Sequence, residues 1–181
     1  MKIVTKAFDG LIVFEPQKYE DERGIFYERF NLRDFLHLSN TSYQFVQDNQ
    51  SRSKKYVLRG LHYQHRFPQG KLISVIKGEV LDVSVDLRSS SSYFGKHFSI
   101  KLSEDNRYTL WIPPGYAHGF QALSDNTEVI YKTTDYWKRE DEHTLLWQDQ
   151  ILNIEWPYPK LAIVSTKDSL GKLLSECAVY P

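Results

Sequence analysis

An all-β fold, a sandwich or barrel of short strands, follows from three features of this sequence. Strand-like runs succeed one another from Leu11 to Thr134, separated by turn residues. Aromatic residues make up 14% of the chain, with 12 Tyr and 10 Phe, a bias that suits pleated, half-buried surfaces. Long helices do not alternate with the strands, as they would in an α/β protein.

The clearest element runs from Glu79 to Leu87. Leu81, Val83, Val85 and Leu87 line one face, and Val80, Asp82, Ser84 and Asp86 the other. Val57–Gln64, Leu72–Ile76, Tyr93–Leu102, Tyr108–Ile112 and Thr127–Thr134 also read as strands. Turn chemistry separates them at Lys77-Gly78, Glu104-Asp105-Asn106, Pro113-Pro114-Gly115 and Ser124-Asp125-Asn126. The serine run Ser89–Ser92 falls between strands and reads as a turn. Helix is confined to two short pieces. One covers Leu32–Leu38, capped by Asn31 with Asp34 in a box-like position, and the other runs from about Asp168 into Leu174. No repeat or linker divides the chain, so residues 1–181 are expected to form a single domain, long enough to bury a core without disulfides.

Composition excludes several functions. Lys+Arg and Asp+Glu both total 23, which leaves no basic footprint for nucleic acid. The longest apolar run near the N-terminus, Leu11–Phe14, is too short for a signal-peptide core or a membrane span. The single cysteine, Cys177, rules out an intrachain disulfide and points to a reducing compartment, the cytoplasm.

The six histidines narrow the search for chemistry. His37 and His143 sit in polar surroundings and are expected to be solvated; His97 carries no evident role. In Arg59-Gly60-Leu61-His62-Tyr63-Gln64-His65, a regular strand sends His62 and Gln64 to the side of Gly60, and Arg59 and His65 to the other. A metal site on a β-sandwich needs a second His two residues after the first; here Gln64 stands there, so no metal is expected. Arg59 is a forked donor suited to phosphate, and Lys71 opens the next strand. Trp111 to Phe120 reads as a tight turn that delivers His118 between small residues. Tyr131 stands in the segment Glu128–Tyr136.

Beyond these single residues, the blocks Asp21-Glu22-Arg23-Gly24, Gln47-Asp48-Asn49-Gln50-Ser51, Arg59 to Gln64, Lys71-Leu72, Gly78 to Val83, Val85 to Arg88, Ala117 to Phe120, Tyr131-Lys132 and Lys167-Asp168 follow one another from about residue 10 to 170. In this order the chain resembles the dTDP-4-dehydrorhamnose 3,5-epimerase family. The resemblance implies a cupin-type jelly-roll sandwich that works without a metal, as a homodimer. It implies a dTDP-4-keto-6-deoxy sugar substrate, dTDP-4-dehydro-6-deoxyglucose, epimerised at C3 and C5 on the route to dTDP-L-rhamnose. By position His62 is then the general base, Asp168 its orienting partner, Tyr131 the acid on the opposite face, and Lys71 the cation that polarises the C4 ketone. The nucleotide is held by Arg23, Phe26, Glu28, Gln47, Asn49, Arg59, His118, Tyr136 and Lys167, with Arg23 and Phe26 reaching over from the neighbouring subunit.

The chemistry explains the residue types. A carbon beside a ketone gives up its proton only if the enolate is stabilised, for which a buried cation serves; Lys71 is the candidate, with His118 a second donor. Imidazole exchanges protons near neutral pH, and a carboxylate on its other nitrogen fixes the tautomer. Read locally, Asp168 is simply a helix cap before Ser169. Inversion needs a donor on the far face. A relative acting at one carbon, a non-catalytic sugar-nucleotide-binding cupin, and a metal-dependent cupin are the rival readings. Between His62 and Lys71 the chain is a residue shorter than is usual in the family, which puts Lys71's exact placement in question.

Overall fold

The computed structural model describes all 181 residues, and the strand segments anticipated from Val57 onward all form, with ends shifted by at most a few residues. In chain order the elements are β1 (Lys2–Ala7), β2 (Leu11–Glu15), β3 (Lys18–Asp21), β4 (Gly24–Tyr27), α1 (Leu32–Ser39) and β5 (Gln47–Ser53). Then come β6 (Val57–Gln64), β7 (Lys71–Lys77), β8 (Glu79–Asp86), β9 (His97–Ser103) and β10 (Thr109–Ile112). The last are β11 (Tyr116–Ala122), β12 (Thr127–Thr133), β13 (Glu142–Thr144), β14 (Ile163–Val164) and α2 (Thr166–Ser169).

Two six-stranded sheets form the sandwich. One runs in the order β1-β2-β10-β7-β12-β5; the other runs β13-β6-β11-β8-β9, with β14 added to β6. Their facing sides share one core, in which Leu11, Val13, Ile73 and Leu110 of the first sheet meet Val80, Leu102 and Phe120 of the second. This is the all-β sandwich that the strand pattern predicts.

The outer sides are covered too, which explains why β8 is apolar on one face and yet buried on both. Val83, Val85 and Leu87 point away from the partner sheet and pack under Leu145, Trp147, Leu152 and Trp156 of the C-terminal segment. On the first sheet, Ile12, Phe14, Leu72 and Trp111 are roofed by Phe35 of α1. Asn31 caps α1 as expected, its side chain accepting from Asp34 N at 3.3 Å. Each such fully buried aliphatic or aromatic side chain contributes about 1.5–3 kcal/mol.

Three local expectations need correction. The turn expected at Pro113-Pro114-Gly115 forms, but the segment it delivers, His118 included, is itself a strand that the sequence pattern did not announce: β11, wholly buried and paired on both sides. The helix expected from Asp168 begins earlier and ends sooner; Ser165 is its cap, so Asp168 is not. His143 is not freely solvated: its ring stacks on Tyr63 with centroids 5.2 Å apart.

Candidate active site

Between the sheets, at one end, lies an open cavity of about 470 Å³, a size suited to a small-molecule ligand. The apolar core gives way there because the inward-facing positions turn polar. On β7 the inward row Val75, Ile73, Lys71 ends in a lysine, and on β12 Val129 is followed by Tyr131. On β8 Val80 is followed by Asp82 and Ser84, and on β5 the inward row includes Asn49 and Ser51. Asn49 Nδ2, Ser51 Oγ, Asp82 Oδ1 and Ser84 Oγ are buried without a hydrogen-bond partner. Buried polar atoms are ordinarily satisfied; of these four residues Ser51 belongs to the cavity lining.

The wall on the second sheet depends on an irregularity in β6. Two residues of β11, His118 and Phe120, stand opposite His62 and Arg59, so β6 carries an extra residue between its partners. Gly60, at φ +113°, absorbs it. As a result Arg59 joins His62 at the cavity, whereas strict alternation sends it to the far face. Arg59 Nε donates to Ser53 Oγ at 3.1 Å, while its terminal nitrogens have no partner in the chain and remain available to an anion.

His62 Nε2 lies 2.5 Å from Asp168 Oδ1, and Asp168 Oδ2 accepts from Gly60 N at 3.3 Å. Burial works to raise the Asp168 pKa, but the bond to His62, the charges of His62 and Lys167 and the Gly60 N–H together outweigh it, and the carboxyl is held below its ordinary range. Asp168 is therefore an anion that orients the imidazole. Beside it, His118 Nε2 lies 2.9 Å from Asp82 Oδ2, and burial depresses the imidazolium, leaving this ring neutral.

The opposite sheet supplies Tyr131 and Lys71. Burial raises the Tyr131 pKa, so the phenol keeps its proton at neutral pH. Lys71 is almost completely buried, and its Nζ donates across the gap to His62 O at 3.1 Å. Desolvation pulls its pKa down to about 8, opposed by the charges of Glu142 and Asp82. It still carries its charge at neutral pH, in surroundings where that charge acts strongly.

Of the residues anticipated, His62, Lys71, Tyr131, Asp168, Arg59, His118 and Lys167 meet at this one cavity. Gln47 and Asn49 flank it on β5; Gln47 Nε2 donates to Asn49 Oδ1, and Gln47 Oε1 accepts from Trp137 N. Tyr136 is exposed beside Trp137, which does line the cavity. Arg23, Phe26 and Glu28 are absent from the lining within a single chain. They lie on or just after the β3–β4 hairpin, where Arg23 forks onto Asp21 and Phe26 is 70% exposed.

Sequence reasoning missed Glu142, which belonged to a charged run and reads there as solvent-facing. Pairing of β13 with β6 brings it to the cavity, where it holds Lys167 at 2.9 Å. It also assigned no partner to Asp82. His65 bonds Val179 O, away from His62, and Gln64 spends its amide on Phe67 O, Tyr136 O and Lys138 N.

An imidazole–carboxylate pair on one sheet and a proton-bearing phenol on the other line the same cavity from two sides, an arrangement suited to moving protons on and off a ring held between them. Fold and site together define an all-β acid–base enzyme of the isomerase kind. The lineage is specific: residues 5–176 match the family described as dTDP-4-dehydrorhamnose 3,5-epimerase, and the chain belongs to that family. The Pseudomonas aeruginosa dTDP-4-dehydrorhamnose 3,5-epimerase is 45% identical over 181 residues, covering 100% of both chains. A Legionella pneumophila dTDP-6-deoxy-D-glucose-3,5-epimerase, solved in complex with dTDP-4-keto-L-rhamnose, superposes with a TM-score of 0.95 at 45% identity, covering 98% of this chain and 94% of that one. The Bacillus anthracis epimerase with TDP and pyrophosphate bound gives 0.92 at 38% identity, covering 95% and 98%.

Proposed function

We propose that this chain is a dTDP-4-dehydrorhamnose 3,5-epimerase that converts dTDP-4-dehydro-6-deoxy-D-glucose to dTDP-4-dehydro-L-rhamnose, in dTDP-L-rhamnose biosynthesis. The observation that carries the reading is the pairing of the His62–Asp168 dyad on one sheet with Tyr131 on the other, both lining one cavity. His62 removes the proton from a carbon next to the C4 ketone, and the C–H electron pair moves into the enolate. The Lys71 ammonium stabilises the developing oxyanion. Tyr131 then returns a proton from the opposite face, which inverts that carbon, and the same sequence serves the second one. Between rounds the His62 imidazolium gives its proton to solvent and the Tyr131 phenolate takes one up, which restores the starting base and acid. Such positioned groups contribute about 10²–10⁴-fold each. Arg59 and Lys167 take the diphosphate, Gln47 and Asn49 the nucleoside side, and Tyr136 offers a stacking face.

Residues 1–181 are read as one domain, because strands from both halves of the chain share the central core. The working form proposed is a homodimer. Tyr19, Ile25 and Phe26 on the β3–β4 hairpin are 61%, 38% and 70% exposed, an apolar tip that a partner would cover; in that arrangement Arg23, Phe26 and Glu28 serve the neighbouring cavity. No helix is long and apolar enough to cross a membrane, and the lone Cys177 fits the cytoplasm as the site of action.

The test is incubation with dTDP-4-dehydro-6-deoxyglucose in D₂O. Deuterium is expected at both C3 and C5. Label at one carbon would make the chain a single-site epimerase, and no label would leave a binding protein.

A further inference from the structure

We infer that Asp82 is a positioning residue: it holds His118 as the tautomer protonated on Nε2, which makes His118 a hydrogen-bond acceptor for a hydroxyl of the bound hexose rather than a second donor to the ketone. The inference rests on the epimerase reading for the identity of the guest and on local geometry for the rest. Asp82 and His118 lie on the inward faces of neighbouring strands, β8 and β11, and both are buried. The Asp82 carboxylate can only accept, so the ring nitrogen 2.9 Å from Oδ2 must carry a proton. A neutral imidazole has one proton. With Nε2 supplying it, Nδ1 has a lone pair, and Nδ1 has no hydrogen-bond partner within the chain although the ring lines the cavity. Burial disfavours the doubly protonated ring and so keeps this assignment at neutral pH.

Asp82 also lacks the features of a carboxylate kept for structure alone. It is fully buried, it makes no salt bridge to Arg or Lys, and its Oδ1 has no partner. Compare Asp86, two residues on, whose two oxygens take up Arg88 and Ser91. A buried carboxyl group bonded only to one imidazole persists where orienting that imidazole matters. The assignment divides labour at the site: the donor to the ketone oxygen is Lys71 alone, and His118 reads a neighbouring hydroxyl.

The test combines ¹⁵N NMR of the histidine rings in the full-length protein with kinetics of Asp82→Asn. In the wild type, His118 should show a protonated Nε2 and an unprotonated Nδ1, with the Nδ1 resonance shifting when a dTDP-hexose is added. In Asp82→Asn the tautomers mix and kcat falls about 10–100-fold, the usual cost of losing an outer orienting group, with KM little changed. A wild-type ring protonated on Nδ1 overturns the inference, as does a folded Asp82→Asn with wild-type kcat. Should Asp82→Asn fail to fold, the wild-type spectrum still decides. The epimerase reading is judged separately by deuterium exchange in the wild type, so either claim can fail alone.

Discussion

His62 and His118 stand directly opposite one another across the β6–β11 pairing, and each commits a ring nitrogen to its own carboxylate, Asp168 and Asp82. The two dyads differ in access. The His62 side chain is 25% exposed toward the cavity and that of His118 only 9%. A base must trade protons with substrate and solvent, whereas a sealed ring holds one protonation state. Exposure therefore favours His62 over His118 for the proposed base role.

From that assignment, His62→Asn should abolish deuterium wash-in at both C3 and C5 while leaving nucleotide binding in place. Asp168→Asn should lower kcat by about 10²–10⁴-fold, since an amide no longer enforces the tautomer or stabilises imidazolium. Proton NMR of the exchange reaction reads both. Retained exchange in His62→Asn would transfer the base role elsewhere.

Tyr131→Phe separates the two halves of the reaction. Proton removal by His62 needs no phenol, so exchange of label should persist. Net inversion should drop about 10²–10⁴-fold, because the far face has lost its donor. Product stereochemistry by NMR, set against label uptake in the same sample, gives the comparison. Equal loss of both would mean that the phenol is needed before the enolate forms.

Lys71 should set the alkaline limit of the reaction. Desolvation brings its pKa down to about 8. The ammonium is present below that value and is lost as pH rises through it. In a kcat–pH profile the basic limb should bend near pH 8, and Lys71→Met should lose the stabilised enolate throughout. A flat profile up to pH 10 would remove Lys71 from the role of cation at the ketone.

Much of the site was legible because its residues sit in short blocks whose chemistry is local, such as Arg59 to Gln64. Less legible was anything that depends on pairing between strands. The turn before His118 was legible, but the central strand that follows it was not, because its neighbours β6 and β8 lie far away in sequence. Asp82 was identifiable only as a polar residue on one face of β8, and its partner follows from β8–β11 register. Arg59 was assigned to the wrong face because alternation assumes a regular strand, and β6 has an extra residue at Gly60. Glu142 gives no sign of burial in a run of charges; only pairing with Gln64 brings it inward.

Acid should unfold the protein through its buried carboxylates. Asp86 accepts from Arg88 at 2.6 Å and Ser91 at 2.7 Å, and Asp141 accepts from the backbone of Arg66 and Phe67. Burial acts to raise both pKa values, yet these bonds hold them below the ordinary 3.8. A depressed carboxylate adds stability that is complete above its unfolded-state pKa and disappears as pH falls through the lower folded value. Tm should thus be level from neutral pH to about pH 5 and fall steeply below about pH 4. Asp86→Ala should cost about 3 kcal/mol at pH 7 and soften the acid transition in a thermal-melt series.

Gly60→Ala should damage fold and chemistry together. The residue has φ +113°, which an L side chain adopts only under strain. An added Cβ would also lie 2.7 Å from both Gly119 Cα and His118 O, and backbone on a paired strand cannot yield as a flexible side chain would. Strain alone accounts for about 1–3 kcal/mol, and the clash adds to it, so a clear fall in Tm is expected. The extra residue that Gly60 absorbs is also what turns Arg59 and His62 to the same cavity, and Gly60 N donates to Asp168. Any variant that folds should therefore show a kcat loss beyond that of a neutral surface change, together with weaker binding of dTDP through Arg59. A folded Gly60→Ala with wild-type kcat and wild-type affinity for dTDP would mean that the irregularity in β6 does not aim these side chains.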